Sequence, residues 1–294
     1  MFEEFKNAFS RPNNAHIQLI IINVVVFVVL GIILVLPTVF GFENIFIIIH
    51  KQFVIPPTID EFLTRPWTII TYAFAHDLSG LFHILFNMLA LYWFGRLFVE
   101  YLGSDKLIAL YILGALAAAG FYLLMFNTVP YFVSQSNSFP GMVGASGAIF
   151  AIMVGAATLL PDYTFLLLFF GPVRIKYIAA VYIFISFLGS VGTNAGGNLA
   201  HLGGALMGFI YIKQLQSGVN LGSWITSILQ GFKNLFKPRS KVKVSYRKSE
   251  PRAKSSSEKP SQAEIDAILD KISDRGYESL SKDEKEKLFN SSKK

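Results

Sequence analysis

The sequence predicts an all-α polytopic membrane protein with six transmembrane helices, and three observations carry that prediction. The 294 residues are 53 % hydrophobic and only 15 % charged, with a mean hydropathy of +0.49, too apolar for a soluble domain of this length. The apolar residues gather into runs at about 17–36, 81–102, 106–126, 144–160, 177–193 and 196–214, each near the ~20 residues that a bilayer core requires. The basic residues between those runs alternate sides. With the N-terminus in the cytoplasm, Lys6, Arg11, Arg96, Lys106, Arg174, Lys176 and Lys213 fall on the inner side, whereas the outer side receives only Lys51 and Arg65. Basic residues accumulate on the cytoplasmic side of membrane proteins, so both termini are expected inside.

Residues 1–16 are polar and carry no cleavage-site pattern, so the first apolar run reads as a retained signal-anchor. A membrane body follows over 17–216, with a long outer loop at 37–80. That loop holds Phe42, Phe46, Ile47-Ile48-Ile49, Phe53, Phe62 and Trp67, broken by Pro56-Pro57 and Pro66. Either it dips into the outer interface, where Trp and other amphipathic rings settle, or it folds as an ordinary extracytoplasmic loop.

Charge then changes along the chain. Residues 1–216 carry nine basic and nine acidic side chains, and the whole +7 lies in 217–294, with seventeen basic and ten acidic. Within 217–244, Leu221, Trp224, Ile225, Ile228, Leu229, Phe232 and Phe236 recur at helical spacing, with Lys233, Lys237, Arg239, Lys241 and Lys243 beside and after them. An apolar stripe trailed by cations reads as a helix on the anionic inner leaflet rather than a nucleic-acid site. Residues 245–262, rich in Ser, Lys and Pro, read as a flexible linker. In 263–294, Ile265, Ile268, Leu269 and Ile272 mark a short helix ending at Gly276, and Ser281-Lys282-Asp283-Glu284 forms a capping box before Leu288-Phe289. This small helical hairpin is either a solubilising tail or the dock for a protein partner.

Polar residues inside spanning segments are costly and therefore informative. His83 and Asn87 lie four apart on one face of the second segment, Ser146 opens the fourth between Gly144 and Gly147, and His201 lies in the sixth. With the N-terminus inside, these three segments all enter from the outer face, and all four residues fall within roughly a turn of one another in depth. A serine hydroxyl needs a base, and a neutral imidazole serves. The oxyanion formed on attack needs donors, which the Asn87 amide, the His83 ring and the Ser146 backbone N–H supply. No acid stands beside these residues in their segments to complete a triad, so the arrangement reads as a Ser146–His201 dyad. Gly144 and Gly147 leave room beside the hydroxyl and let a neighbouring helix approach. The alternative is that these residues only bridge helices, with Ser146 bonded to its own helix. His76, just before the second segment, either supports the site or belongs to the loop. His16 and His50 read as interfacial. No HExxH or carboxylate accompanies the four polar residues, so no metal is expected, and no cofactor is implied. The chain contains no cysteine, which excludes disulfide and thiolate chemistry.

Leu81-Phe82-His83-Ile84-Leu85-Phe86-Asn87-Met88, Tyr92-Trp93-Phe94-Gly95 with Glu100 and Gly103, Gly144-Ala145-Ser146-Gly147, and Ala200-His201 with Gly204 and Gly208 resemble, in this order, the rhomboid family of intramembrane serine proteases. The resemblance covers most of 62–214. It implies a six-transmembrane-helix rhomboid-like bundle with a cytoplasmic C-terminal tail, and Gly204 and Gly208 pressing the sixth helix against the fourth. It also implies Ser146 as nucleophile, His201 as general base, and His83 with Asn87 as oxyanion donors. Substrates would be single-pass transmembrane proteins reached from the lipid bilayer, and the membrane a bacterial inner membrane. Two departures concern the outer loop. Six residues separate His76 from His83 where about four are common in the family, and Trp67-Thr68 stands where Trp-Arg is frequent. A catalytically inactive rhomboid-like binder of transmembrane helices is the competing function, and such relatives usually lack the serine or the histidine. A small transporter would show inverted repeats or broken helix pairs, which this sequence does not.

Overall fold

The computed structural model describes residues 8–9, 11–235 and 260–292. The chain divides into two compact units, Met1–Lys237 and Pro238–Lys294.

In the first unit a helix lies at each of the six predicted segments. They are α1 (Ala15–Val39), α4 (Leu81–Leu102), α5 (Ser104–Thr128), α6 (Ser146–Leu159), α7 (Ile175–Gly189) and α8 (Ala195–Gln216), with α2 (Glu43–His50) and α3 (Ile59–Thr64) in the loop after α1 and α9 (Ser223–Leu235) after α8. By length and composition, α1, α4 and α5 are long and apolar enough to cross a membrane. The apolar helices α6 and α7 have 14 and 15 residues, about 21–23 Å at the α-helical rise. α8 has 22 residues, but its glycines and asparagines dilute its hydropathy.

The bundle is built around α6. Every residue from Gly147 to Ala157 is buried, the behaviour of a helix that is apolar all round. Small residues make this burial possible. A methyl group on Gly204 would overlap the Gly147 carbonyl, and one on Gly208 the Ala151 carbonyl, so α8 lies directly on the α6 backbone. On the other side, a methyl group on Gly114 of α5 would come within 3.2 Å of the Ala148 Cα. Such close approach is how helices associate where lipid removes the hydrophobic drive between them.

The loop after α1 divides in two. Between α1 and α3 it leaves Phe42, Ile47 and Ile48 exposed, whereas Ile55, Thr68, Tyr72, Ala73 and His76 are buried. Ile55 and Met142 exchange backbone hydrogen bonds of 3.1 and 3.0 Å, fastening this loop to the segment that leads into α6. The Tyr72 hydroxyl donates to the Ala115 carbonyl at 2.8 Å, and the Tyr111 hydroxyl to the Ala73 carbonyl at 2.6 Å. Asn23, buried in α1, donates to the Leu19 carbonyl and to the Tyr111 hydroxyl. The second half of the loop is therefore a folded brace against the bundle.

The structure adds an element absent from the sequence reading. Residues 161–174 include an antiparallel hairpin, β1 (Thr164–Leu167) and β2 (Gly171–Arg174), in register Thr164↔Arg174 to Leu167↔Gly171. Its alternation is hidden by the continuous apolar run Phe165–Phe170, and strands of four residues give periodicity little to act on. Leu166, Leu168, Phe169 and Phe170 are 79–90 % exposed. At its base, Asp162 accepts hydrogen bonds from Lys176 at 2.7 Å and Arg174 at 3.2 Å.

The amphipathic helix also departs from expectation. Ile225 of α9 is buried against the bundle, with Leu221 and Leu229 packed partly beside it, while Trp224 and Ile228 stay half-exposed. Part of the stripe assigned to lipid therefore serves as a packing face. Phe236 and the cations from Lys237 to Lys243 lie outside the described residues, as does most of the linker.

In the second unit, α10 (Gln262–Arg275) and α11 (Lys282–Ser292) form the predicted helical hairpin. Both N-termini carry capping boxes, Ser261 with Glu264 and Ser281 with Glu284. Ion pairs Lys271–Glu284 (2.8 Å) and Lys287–Glu264 (3.0 Å) join the two helices, and Ile268 and Leu280 are its buried apolar side chains among the described residues.

Candidate active site

Four of the predicted residues meet where the N-terminal ends of α4, α6 and α8 converge. Ser146 is the first residue of α6, His83 lies two residues into α4, and Asn87 and His201 each lie six residues into their helices. The Ser146 Oγ stands 2.8 Å from the His201 Nε2. Ser146 is thus bonded to another helix and not to the backbone of its own. The His201 ring lies flat on Phe150, with centroids 4.0 Å apart and planes at 6°. Since Phe150 sits one turn after Ser146, α6 supplies both the hydroxyl and the platform that orients its partner.

The other ring nitrogen is also engaged. The Ser186 Oγ of α7 is 3.0 Å from the His201 Nδ1, and Ser186 is 2 % exposed. Neither Phe150 nor Ser186 was singled out from sequence. A signal existed for Ser186, a buried hydroxyl inside an apolar segment. Phe150 had none, because a phenylalanine in an apolar helix is unremarkable.

The turn before α6 is shaped by Gly144, whose φ of +136° is strained for any side chain. Its amide donates to the Tyr72 carbonyl at 3.0 Å, so the loop brace holds the approach to Ser146. A methyl group built on Gly144 would lie 3.4 Å from the His83 Nε2 and 3.6 Å from the Ser146 Oγ, which puts this glycine between the two side chains. Ala145 offers no side-chain cap, and the first N–H groups of a helix have no intrahelical partner. The Asn87 amide donates to the His83 carbonyl one turn back, at 2.9 Å. A carboxamide has two N–H donors, so the second is left for another acceptor.

These groups face a cavity of about 700 Å³ between α4, α6, α7 and α8, whose polar lining includes His83, Asn87, Ser146, Ser186, Asn198 and His201. Phe82, Phe86 and Trp93 line its α4 side, and Phe165 and Leu167 of the hairpin line it too. Among the described residues no three metal-ligating side chains gather.

His76 belongs to this region. It is fully buried, and its ring meets the His83 ring edge-on at 5.3 Å. Burial, and then the neighbouring His83, lower its pKa to about 4. Below pH 6.5 the unfolded chain therefore takes up a proton that the folded chain refuses until about pH 4. Stability is complete above that window and falls as pH drops through it, by up to about 1.4 kcal/mol per pH unit for one such site. Unfolding in detergent followed between pH 7 and 4.5 should show wild type losing stability more steeply than His76→Phe. Parallel curves would mean that His76 is not the group responsible.

A model of the Rhomboid domain matches residues 63–217, and a family of unknown function (DUF6576) matches 255–294. RHOMBOID-like protein 12, mitochondrial, of Arabidopsis thaliana is 35 % identical over 204 residues, 65 % of this chain and 59 % of that protein. Rhomboid protein 1, mitochondrial, of Saccharomyces cerevisiae is 31 % identical over 211 residues, 69 % of this chain and 53 % of its own length. The Rhomboid protease GlpG of Haemophilus influenzae is 28 % identical over 172 residues, 58 % of this chain and 79 % of that protein. The matches thus span little more than half the length of the first two relatives.

Proposed function

Because this chain belongs to the rhomboid family, and so is an integral membrane protein of polytopic helical fold, we propose that it is an intramembrane serine endopeptidase acting through a Ser146–His201 dyad. One observation carries the proposal: a serine hydroxyl and an imidazole 2.8 Å apart, facing a largely apolar cavity. In this reading α1 and α4–α8 are six spanning helices, with both termini in the cytoplasm and the dyad near the outer face. Two of the relatives named above are mitochondrial and one is bacterial, so the assignment to a bacterial inner membrane stays an expectation.

The reaction follows from the positions. His201 Nε2 takes the Ser146 proton as Oγ adds to the scissile carbonyl, and returns it to the amide nitrogen as the C–N bond breaks. Water then attacks the acyl-enzyme, with the same imidazole as base. The oxyanion is met by the His83 ring, the free Asn87 N–H and the first N–H of α6, donors in place before charge develops. Asn194 and Asn198 give the cavity a polar margin through which water enters. Substrates are transmembrane segments of single-pass proteins, which enter from the lipid bilayer and must unwind locally, since a helix protects its own carbonyls. No cofactor takes part.

The fold would also suit an inactive binder of transmembrane helices, but such a protein has no use for a bonded serine–imidazole pair. The test is covalent labelling of the purified protein, in detergent and in lipid, with a fluorescent fluorophosphonate. One equivalent should attach to Ser146. Folded protein that stays unlabelled in both media would favour the binder.

A further inference from the structure

We propose that Ser186 is a third, positioning member of the site, whose hydroxyl fixes the tautomer and orientation of the His201 ring. The inference rests on the protease reading, because it concerns the base of that reaction. Imidazole can accept the Ser146 proton only if Nε2 carries a lone pair, which puts the ring proton on Nδ1. Nδ1 is the atom that faces Ser186 Oγ at 3.0 Å, so the hydroxyl accepts the Nδ1–H. With Ser186 removed, nothing in the pair itself distinguishes the productive tautomer from the one that places the proton on Nε2. The same contact serves after proton transfer. Imidazolium has two N–H groups, one for the leaving amide and one still held by Ser186.

Three further features place Ser186 for this task. It is one of three buried residues on α7, with Ile175 and Ala179, while the flanking Ile185, Phe187 and Leu188 are 57–62 % exposed. Ser186 thus lies on the one face of α7 that packs on the bundle, and a hydroxyl buried there needs a hydrogen-bond partner, which His201 supplies. Its position is itself held: Asn198, one turn before His201, donates to the Gly189 carbonyl at the end of α7, at 2.9 Å. The Phe150 ring fixes the plane of the imidazole but leaves the tautomer free, since stacking does not distinguish the two nitrogens. Platform and hydroxyl therefore supply different constraints on one ring. A carboxylate in this place would stabilise the imidazolium further, and its absence makes the hydroxyl the substitute.

The test compares Ser186→Ala, Ser186→Thr and the Thr isostere Ser186→Val in full-length protein in liposomes, with a transmembrane peptide as substrate and fluorophosphonate labelling as a second readout. Losing a buried acceptor lowers kcat on the order of ten- to a hundredfold in Ser186→Ala and Ser186→Val, with KM within twofold. Ser186→Thr recovers most of the rate. Equal rates in Ser186→Thr and Ser186→Val, or a change confined to KM, would reduce Ser186 to packing and overturn the proposal. So would wild-type rates in all three variants. A wild-type protein that neither labels nor cleaves would overturn the protease reading and this role with it, which separates the two failures.

Discussion

Ser146→Ala and His201→Ala should each lower cleavage of a reconstituted transmembrane substrate by about 10⁴-fold or more, and the double variant should be no worse than either single one. The size follows from the roles proposed for each residue. Without Oγ there is no nucleophile, and without the imidazole a hydroxyl of ordinary acidity, held away from bulk water, has nowhere to send its proton. The absence of additivity follows from the 2.8 Å bond, since hydroxyl and ring are parts of one device. Steady-state kcat/KM for the three variants and wild type, in liposomes of one composition, measures both. Losses that add in the double variant would mean that the two residues act independently, and a Ser146→Ala variant with unchanged cleavage would place the nucleophile elsewhere.

The second large effect concerns packing. Gly208→Val should prevent the bundle from forming, and Gly208→Ala should weaken it by several kcal/mol, beyond the ~1–3 kcal/mol usual for overpacking. A flexible neighbour could move aside, but the obstruction here is the Ala151 carbonyl, part of the α6 backbone. α6 cannot retreat, because Gly114 and Ala118 of α5 press on its opposite side. Gly204→Ala carries a further consequence. Its methyl group would meet the Gly147 carbonyl, next to Ser146, so α8 must shift at the level where His201 meets the serine. Activity should therefore fall in Gly204→Ala before stability does. Size-exclusion profiles and melting temperatures in detergent, read beside labelling, separate the two glycines. Wild-type melting in Gly208→Val would show that the α6–α8 contact is looser than described.

Much of this was legible because it is local or periodic. Six apolar runs, two histidines, a serine and an asparagine could be placed on segments, and their depth compared, from spacing alone. The packing role expected of the glycines at 204 and 208 came from the family resemblance and not from their spacing alone. The hairpin over 164–174 was lost because a short strand inside an apolar run looks like any apolar run. The docking of α9 was lost for a related reason: an amphipathic stripe states that a face is apolar, and says nothing about whether lipid or protein covers it.

The sequence by itself determined the chemical inventory and the apolar segment that carries each member, because hydropathy and spacing are properties of single segments. Only the tertiary structure decided which atoms face each other. It set Nε2 of His201 on Ser146 and Nδ1 on Ser186, laid the imidazole on Phe150, turned one Asn87 donor back to His83, and fastened the Gly144 turn to Tyr72. The contacts of His201 with Ser146 and Phe150 lie between helices whose relative rotation is fixed by backbone-on-backbone packing at Gly147, Ala151, Gly204 and Gly208. That rotation arises from the interlocking of three helices at once, and no window along one segment contains it.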